Sequence, residues 1–414
     1  MNFDDTPEEA AFRAEARAWI QANRPRGGIF EEEGVLNLPP VESAEYLALA
    51  KPWQKKKAES GWACLHWPKE HGGRGATPME RIIFQQEEGR LTALTRVFMI
   101  AQGICGPTLA AWATDAQKRQ HLPKIASGEE IWCQLFSEPA AGSDLAGIRT
   151  RAVRDGDDWI VNGQKIWTSW AHVAQFGLLL ARTDDSAPKH KGLSMFFIDM
   201  RTRGLEVRPI RQANGMRDFN EVFFTDVRVP DAQRLGPVNG GWSVALTTLM
   251  NERMSLGSTP YTGFAEILRL CKQVPGPVGG LAIEDRAVRS RLAELATKAS
   301  GLKYNGMRAI SAISRGEQPG PENSIGKLVA ASTLQETSML ANDLLGAWGA
   351  VLDPDSSAEV TRLQAALMRS PATRIEGGSD EILRNIIAER VLGLPQDVRV
   401  DKDVPFNQLP VRGR

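Results

Sequence analysis

The stretch from Phe136 to Asp144 reads Phe-Ser-Glu-Pro-Ala-Ala-Gly-Ser-Asp, in which a proline and small residues stand among hydroxyl and carboxylate side chains. This composition predicts a tight loop that presents backbone N–H groups and hydroxyls to an anion or a polar ring. Taken alone, the pattern also fits an ordinary surface turn. The pattern indicates a ligand site only if a second segment could contact the same ligand.

A second segment, Asn162–Ser169, follows about 25 residues later and reads Asn-Gly-Gln-Lys-Ile-Trp-Thr-Ser. Its Asn-Gly pair predicts a short hairpin, which would carry Trp167 and the hydroxyls of Thr168 and Ser169. An indole beside hydroxyls most often belongs to a hydrophobic core. At this spacing the two segments could instead wall a flat cofactor, with the indole covering one face.

Together these segments resemble the flavin-binding middle domain of the acyl-CoA dehydrogenase family. In that family the first motif typically reads T-E-P-x-A-G-S-D and the second G-x-K-x-W-I-T. Two later segments extend the resemblance: Asn220–Pro230 is similar to the strand that closes the β domain, and Asn385–Gly393 is similar to the last helix. Because the four segments occur in the family's order along nearly the whole chain, the chain is identified as a member of that family.

The resemblance implies a flavoenzyme that holds FAD and oxidises an acyl-CoA thioester to the 2,3-enoyl thioester. A carboxylate removes the α-proton, the β-hydride passes to the flavin, and an electron-transfer flavoprotein is the implied acceptor. By position, the implied isoalloxazine contacts are Gln134, Phe136 and Ser137 on one side and Trp167, Thr168 and Ser169 on the other. Gly142 and Ser143 are implied to lie beside the pyrophosphate or the thioester arm, and Ser379 and Glu381 are further implied cofactor contacts.

The implied base has two candidate positions. Most members of the family carry it in a late E-G-T-S motif, whereas a minority that resembles the isovaleryl and long-chain enzymes carries it in an early Glu-Arg pair. Glu252-Arg253 matches the early arrangement, and counting back from Glu381 places the late position on Gly377 rather than on Glu376. We therefore predict Glu252 as the base. Arg253 would orient the base or the substrate, and the Gly377 N–H would donate to the thioester oxygen.

The chain departs from the family at the loop that usually carries R-x-x-F-G and reaches a neighbouring subunit's FAD. Pro275 stands where the arginine belongs, and Arg286 is the cation that could replace it. The family's F-G-G-x-G segment appears as Leu345–Gly349. The cofactor could therefore be held differently across an interface, or the chain could work beside a second, related chain, as some steroid-catabolic members do. A glycine at 377 also leaves space for bulky, branched or ring-bearing acyl groups.

Three interpretations of function are therefore weighed. The first is an acyl-CoA dehydrogenase of fatty acid or steroid side-chain β-oxidation. The second keeps the fold and flavin but is an oxidase-like or monooxygenase-like relative. The third is a non-catalytic partner subunit that completes another chain's site. The Glu252-Arg253 pair favours the first, whereas the altered loop at Pro275 is the feature that supports the third.

The elements that must position these residues follow the order helices, strands, helices, which predicts an α+β fold. Thr6, a following proline and Glu9 predict a capped helix start. We predict an N-terminal helical domain over 1–129, a β domain over 130–235 that contributes the flavin site, and a C-terminal helical bundle over 236–414 with the base. Short strands separated by turns predict a small antiparallel barrel or sandwich for the β domain.

Composition excludes several classes of function. Lys plus Arg and Asp plus Glu each number 50, so no excess of positive charge favours nucleic acid. The scattered cysteines lack a C-x-x-C pair, which argues against a disulfide framework or a metal site. The N-terminus lacks the pattern of a secretory signal and no apolar run is long enough to span a membrane, so we expect a cytoplasmic protein. The family resemblance implies a homodimer or homotetramer, with a hetero-oligomer as the alternative.

Overall fold

A computed structural model describes residues 5–31, 36, 38–41, 43–255, 263–317, 320–351, 358–396, 398 and 401–409. Within it the chain forms two compact units. The first comprises Asp5–Ser255 together with the C-terminal Val398–Arg414, and the second contains Leu256–Asp397. The first unit holds the β domain and both segments that resemble flavin motifs.

The first unit begins with five α-helices, whose starts follow from side-chain capping. The side chains of Thr6, Thr77 and Thr114 each accept a hydrogen bond from the backbone N–H of the third residue of the following helix. The side chain of that third residue in turn accepts from the backbone N–H of the threonine. Each such cap contributes about 1 kcal/mol. The predicted helix start at Thr6 is confirmed. The helices are α1 (Pro7–Asn23), α2 (Ala44–Glu59), α3 (Pro78–Glu88), α4 (Gly106–Trp112) and α5 (Asp115–Ser127).

The connection between α3 and α4 is helical but irregular. A 3₁₀ segment covers Gly89–Phe98, and a π-helical turn covers Ala101–Cys105 before α4 begins. Long 3₁₀ runs and π turns are both uncommon, and both occur frequently at functional sites. Gly103 and Pro107 belong to residue types that often interrupt helices, yet the chain stays helical through both.

Eight strands form one sheet in the order β6-β7-β3-β2-β4-β5-β8, with β1 pairing to β4 outside this path. Most neighbours are antiparallel, as predicted, but β1 runs parallel to β4, and β2 meets β4 in parallel at one residue pair. The strands are β1 (Trp132–Leu135), β2 (Arg151–Asp155), β3 (Asp158–Ser169), β4 (Phe176–Arg182), β5 (Leu193–Asp199), β6 (Leu205–Pro209), β7 (Phe219–Pro230) and β8 (Arg234–Leu235).

The predicted hairpin at Asn162-Gly163 is wrong. Strand β3 runs straight through this pair and stays bonded to β7, with a register shift between Val161 and Gly163. The Asn162 side chain instead bonds to the neighbouring strand β7. Its oxygen accepts from the Asp226 N–H, and its amide donates to the Asp226 carboxylate. The shift places two residues of β7, Thr225 and Asp226, opposite Asn162, so the β-bulge lies in β7, where Asp226 has a left-handed φ of 47°.

Helix α6 (Gly241–Ser255) follows the sheet and stays within the first unit. Val244 and Ala245 are fully buried in the hydrophobic cluster that also contains Phe136 and Trp170. The Thr108 hydroxyl donates to the Thr248 hydroxyl over 3.1 Å, which ties α6 to α4. At the end of the chain, residues 401–409 return to the β domain.

The second unit is helical, as predicted. Apolar residues of its helices, among them Leu270, Leu292, Leu340 and Leu363, form a separate buried cluster. The helices are α7 (Phe264–Cys271), α8 (Arg286–Ser314), α9 (Asn323–Leu344), α10 (Ala358–Thr373) and α11 (Asp380–Ile386), the last continued by a π turn at Ile387–Val391. The chain's four cysteines, Cys64, Cys105, Cys133 and Cys271, are buried and free of disulfides.

Candidate active site

The loop after β1 is closed by its own backbone. Glu138 and Ala141 exchange N–H···O bonds of 2.9 and 3.0 Å, which form a tight turn over Pro139 and Ala140. Gly142 and Ser143 follow this turn and are exposed. The predicted loop therefore forms, and its glycine and serine are open to a ligand, whereas Phe136 at its start is buried in the core.

A buried ion pair joins this loop to β3. Lys165 is fully buried, and its ammonium donates to Glu138 Oε1 over 2.8 Å and to Phe136 O over 2.9 Å. The Glu138 carboxylate also accepts from the Arg149 N–H over 2.6 Å and from the Thr150 N–H over 2.9 Å. The two segments that resemble flavin motifs are therefore fixed to each other by charge as well as by the backbone.

The pKa values of this pair follow from burial and from the pairing. Burial alone would raise the pKa of Glu138, but Lys165 and the neighbouring N–H donors outweigh it and hold the pKa below its usual range. Burial lowers the pKa of Lys165, and Glu138 offsets part of that effect. The sequence analysis missed this pair, although both residues stand in the motifs that it quoted.

The end of β3 is strained where Trp167 and its neighbours lie. Trp167 and Trp170 have left-handed φ values of 60° and 55°, which are unusual for bulky residues and occur where surrounding structure enforces them. Asn220 is one such constraint, because its amide donates to Thr168 O over 2.9 Å while its oxygen bonds His172 Nδ1 over 2.9 Å. The result is an indole at Trp167 that is 57% exposed.

The same segment fits a flat ligand with polar edges. Thr168 is buried, yet among the described residues its hydroxyl has no hydrogen-bond partner. Buried hydroxyls are normally bonded, so this one is available to a bound ligand or to an ordered water. Together with the exposed Trp167 face and the half-buried Ser169, it suits the ring and heteroatoms of a flavin.

Glu252 lies on α6 one turn after the buried Thr248, and it is half-buried. The Gln134 amide donates to Glu252 Oε2 over 3.2 Å. Gln134 is the one residue of β1 that is not fully buried, and β1 leads directly into the loop at Ser137. The structure thus brings a carboxylate to the strand that carries the first motif. The side chain of Arg253 lies outside the described residues.

The other predicted site residues belong to the second unit. Arg286 is exposed at the first position of α8. Ser379 caps α11, accepting from the Ile382 N–H, and Glu381 is exposed in the first turn of that helix. Gly377 has a φ of 61°, a conformation that favours glycine and disfavours the glutamate that most of the family would carry there.

Glu376, the competing base, is held by a different partner. Its carboxylate forms a 2.5 Å salt bridge with Arg369, whose side chain is 11% exposed. This ion pair gives the Glu376 carboxylate a charged partner within its own unit.

Comparison with known proteins now defines the class. Three family models match in order: the acyl-CoA dehydrogenase N-terminal domain over residues 6–129, the middle domain over 133–227 and the C-terminal domain over 239–392. The chain belongs to the acyl-CoA dehydrogenase family. It is therefore an oxidoreductase of the class that dehydrogenates acyl-CoA thioesters.

Individual proteins are similar to this chain over nearly its whole length. The chain is 38% identical over 392 residues to acyl-CoA dehydrogenase IpdE1 of Mycobacterium tuberculosis, covering 94% of this chain and 98% of that protein. The solved Tcur3481-Tcur3483 steroid ACAD matches with a TM-score of 0.78 and 28% identity, covering 96% of this chain and 100% of the other. The ChsE4-ChsE5 complex from Mycobacterium tuberculosis matches with a TM-score of 0.75 and 28% identity, covering 96% and 100%.

Within the described part of the chain, no single helix combines the length and apolar composition that crossing a membrane requires. One bent pair of helices, Pro78–Phe98 with Ala101–Trp112, reaches that length and apolar composition when taken together, with a 79° bend between its members.

Proposed function

We propose that this chain is an FAD-dependent acyl-CoA dehydrogenase in which Glu252 removes the α-proton of the thioester. The observation that carries the proposal is the 3.2 Å hydrogen bond from Gln134 to Glu252, which joins a carboxylate to the strand that leads into the flavin-type loop. A half-buried carboxylate with an oriented oxygen is the group that α-proton abstraction needs.

FAD would be held by the groups that the two motifs supply. Ser137, Gly142 and Ser143 would donate to its polar edges, while Trp167 would cover the ring and Thr168 would gain the partner that its hydroxyl lacks. When bound, FAD supplies a hydride acceptor for the β-carbon. The protein's own residues orient the thioester, exclude water and hold the proton on Glu252.

The test compares two carboxylates in one chain. Glu252→Gln should slow anaerobic bleaching of the flavin by an acyl-CoA by about 10² to 10⁴-fold, the usual contribution of a general base, while FAD stays bound. Glu376→Gln is the matched control and should leave the rate close to that of the parent, because Glu376 already pairs with Arg369. The reverse order of effects would overturn the assignment.

The substrate class we propose is a bulky, ring-bearing acyl-CoA. Support comes from two sources: a solved relative is described as a steroid ACAD, and the family resemblance places Gly377 at the position of the late glutamate, where a glycine leaves space. A panel of thioesters should bleach the flavin fastest with ring-bearing acyl groups. Preference for straight medium-length chains would contradict this proposal and leave the dehydrogenase proposal intact.

The electron acceptor and the oligomeric state are proposed from the family membership and from the solved relatives. We expect reoxidation by an electron-transfer flavoprotein, and hydrogen peroxide formed without any acceptor would instead indicate an oxidase-like relative. Because one solved relative is a complex of two named chains, ChsE4 and ChsE5, a hetero-oligomer stands beside a homodimer or homotetramer. Light scattering on the purified chain separates these, and a colourless preparation would favour the partner-subunit interpretation.

A further inference from the structure

Residues 401–409, which we call the C-terminal strap, lie beyond residue 392, where the C-terminal family match ends. They belong to the first unit and are joined to the loop that follows the flavin-type turn through Lys189, which bonds both Asp401 and Asp144. We propose that the strap positions the Gly142–Asp144 loop for FAD binding, an inference that rests on the function proposed above. The strap would thus be a cofactor-affinity element outside the matched C-terminal domain.

The need for such an element follows from how the loop is held. Among the described residues, a side chain at Gly142 would meet no atom within 4 Å, so the exposed part of the loop gains little order from packing. Its order must come from its two ends. The first end is fixed by Glu138 and Lys165, and the second end, from Asp144 to Ile148, depends on other residues.

A bridging lysine joins the strap to the second end. Lys189 Nζ donates to Asp144 Oδ1 over 3.0 Å and to Asp401 Oδ2 over 2.7 Å. Burial alone would lower the pKa of Lys189, but its bonds to Asp401 and Asp144 hold the pKa above its usual range. The ammonium therefore stays charged, and it links Asp144, which directly follows Ser143, to the strap.

Arg182 and Phe406 form a second link. Arg182 is buried and donates to Ala146 O over 2.6 Å, to Ile148 O over 3.2 Å and to Lys189 O over 3.1 Å. Its guanidinium carbon lies 3.6 Å from the centroid of the Phe406 ring, which is 5% exposed. The Phe406 ring thus packs against the Arg182 guanidinium, which binds the carbonyl groups of the loop. Cation–π attraction favours this arrangement.

Backbone bonds fix the register of the strap. The Phe406 N–H donates to Ala187 O over 3.0 Å, and the Asn407 N–H donates to Asp185 O over 2.8 Å. These bonds hold the strap at Phe406, within the same short stretch that carries Asp401. A loop ordered before the ligand arrives loses less conformational entropy on binding, so the strap should act on affinity for FAD.

The experiment titrates FAD into the apoprotein of the full-length chain and follows quenching of flavin fluorescence. Phe406→Ala should weaken FAD binding by about tenfold or more, and Asp401→Ala by a smaller factor. Asn407→Ala is the matched control, because Asn407 bonds Asp185 O through its backbone N–H, which the substitution retains, and the variant should bind FAD as the parent does. Circular dichroism of each apoprotein verifies that the variants are folded.

A second readout separates positioning from general damage. At saturating FAD, the loss in Phe406→Ala should fall on the dissociation constant much more than on the rate of flavin bleaching by thioester. FAD binding by Phe406→Ala and Asp401→Ala equal to that of the parent would overturn the strap proposal alone. Equal weakening by Asn407→Ala would also overturn it. A parent chain that binds no FAD would overturn the proposed function, and the strap proposal with it.

Discussion

Replacing Lys165 with methionine tests whether the buried ion pair holds the two flavin-type segments together. Methionine fills a similar volume but removes the ammonium that bonds Glu138 and Phe136 O. Because Lys165 is fully buried and Glu138 is 8% exposed, water cannot readily replace the lost donor. The carboxylate would be left buried with only the two backbone N–H donors of Arg149 and Thr150.

The expected magnitude follows from that geometry. Removing one partner of a buried pair costs about 3–5 kcal/mol. The retained N–H donors place the expected loss near the lower end of that range, at about 3 kcal/mol. At roughly 2–4 °C per kcal/mol for a unit of this size, the melting temperature should fall by about 6–12 °C.

The assay is thermal unfolding followed by tryptophan fluorescence, with FAD content measured in parallel. Combining Lys165→Met with Glu138→Gln should recover part of the loss, because no unpaired buried charge remains. Arg201→Met is the control, since it breaks an ion pair whose arginine side chain is 79% exposed, and it should barely move the melting temperature. Two results would refute the reasoning. One is a melting temperature of Lys165→Met equal to that of the parent, and the other is a double variant whose loss equals the sum of the losses of the two single variants.

Three further predictions follow. Thr168→Val should raise the melting temperature of the apoprotein, since it removes a buried hydroxyl that has no partner among the described residues, and should weaken FAD binding; a destabilised apoprotein would contradict it. Gln134→Met removes a bond to a carboxylate worth about 1.5–3 kcal/mol, so stopped-flow bleaching should slow by roughly 10- to 100-fold, and an unchanged rate would exclude that role. Because the pKa of Glu138 lies below its usual 4.5, the stability it contributes is complete above that pH and is lost as the pH falls through the lowered value. The melting-temperature gap between the parent and Glu138→Gln should therefore shrink on acidification, and a gap that stayed constant with pH would contradict this.

The features that the sequence predicted well are those set by local chemistry. Thr6, Pro7 and Glu9 define a capped helix start through contacts within a few residues, and the structure has that cap. The order of helices and strands followed from periodicity in the same way. Asn162-Gly163 shows the limit of this reasoning, because a pair that favours a hairpin turn lies here within a continuous strand. Pairing of β3 with β7, far away in the sequence, overrides the local preference.

The candidate site was predictable where motifs carry it and unpredictable where distant segments meet. The motif residues from Gln134 to Ser169 could be proposed from resemblance alone. The bond between Gln134 and Glu252 joins residues 118 positions apart, and the bond between Lys189 and Asp401 joins residues 212 apart. Neither leaves a local pattern. The parallel pairing of β1 with β4 was missed for the same reason, since it depends on the path of the whole chain.

The burial of all four cysteines has a practical consequence for labelling. Burial raises the pKa of Cys64 to about 12 and raises the pKa values of the other three thiols, so little reactive thiolate forms in the folded protein. A maleimide dye should therefore leave the folded chain unlabelled. Val398, just before the strap, is 90% exposed, so Val398→Cys would provide one reactive thiol while the four native thiols stay buried and unreactive. Its dye would report strap movement without any other cysteine having to be removed.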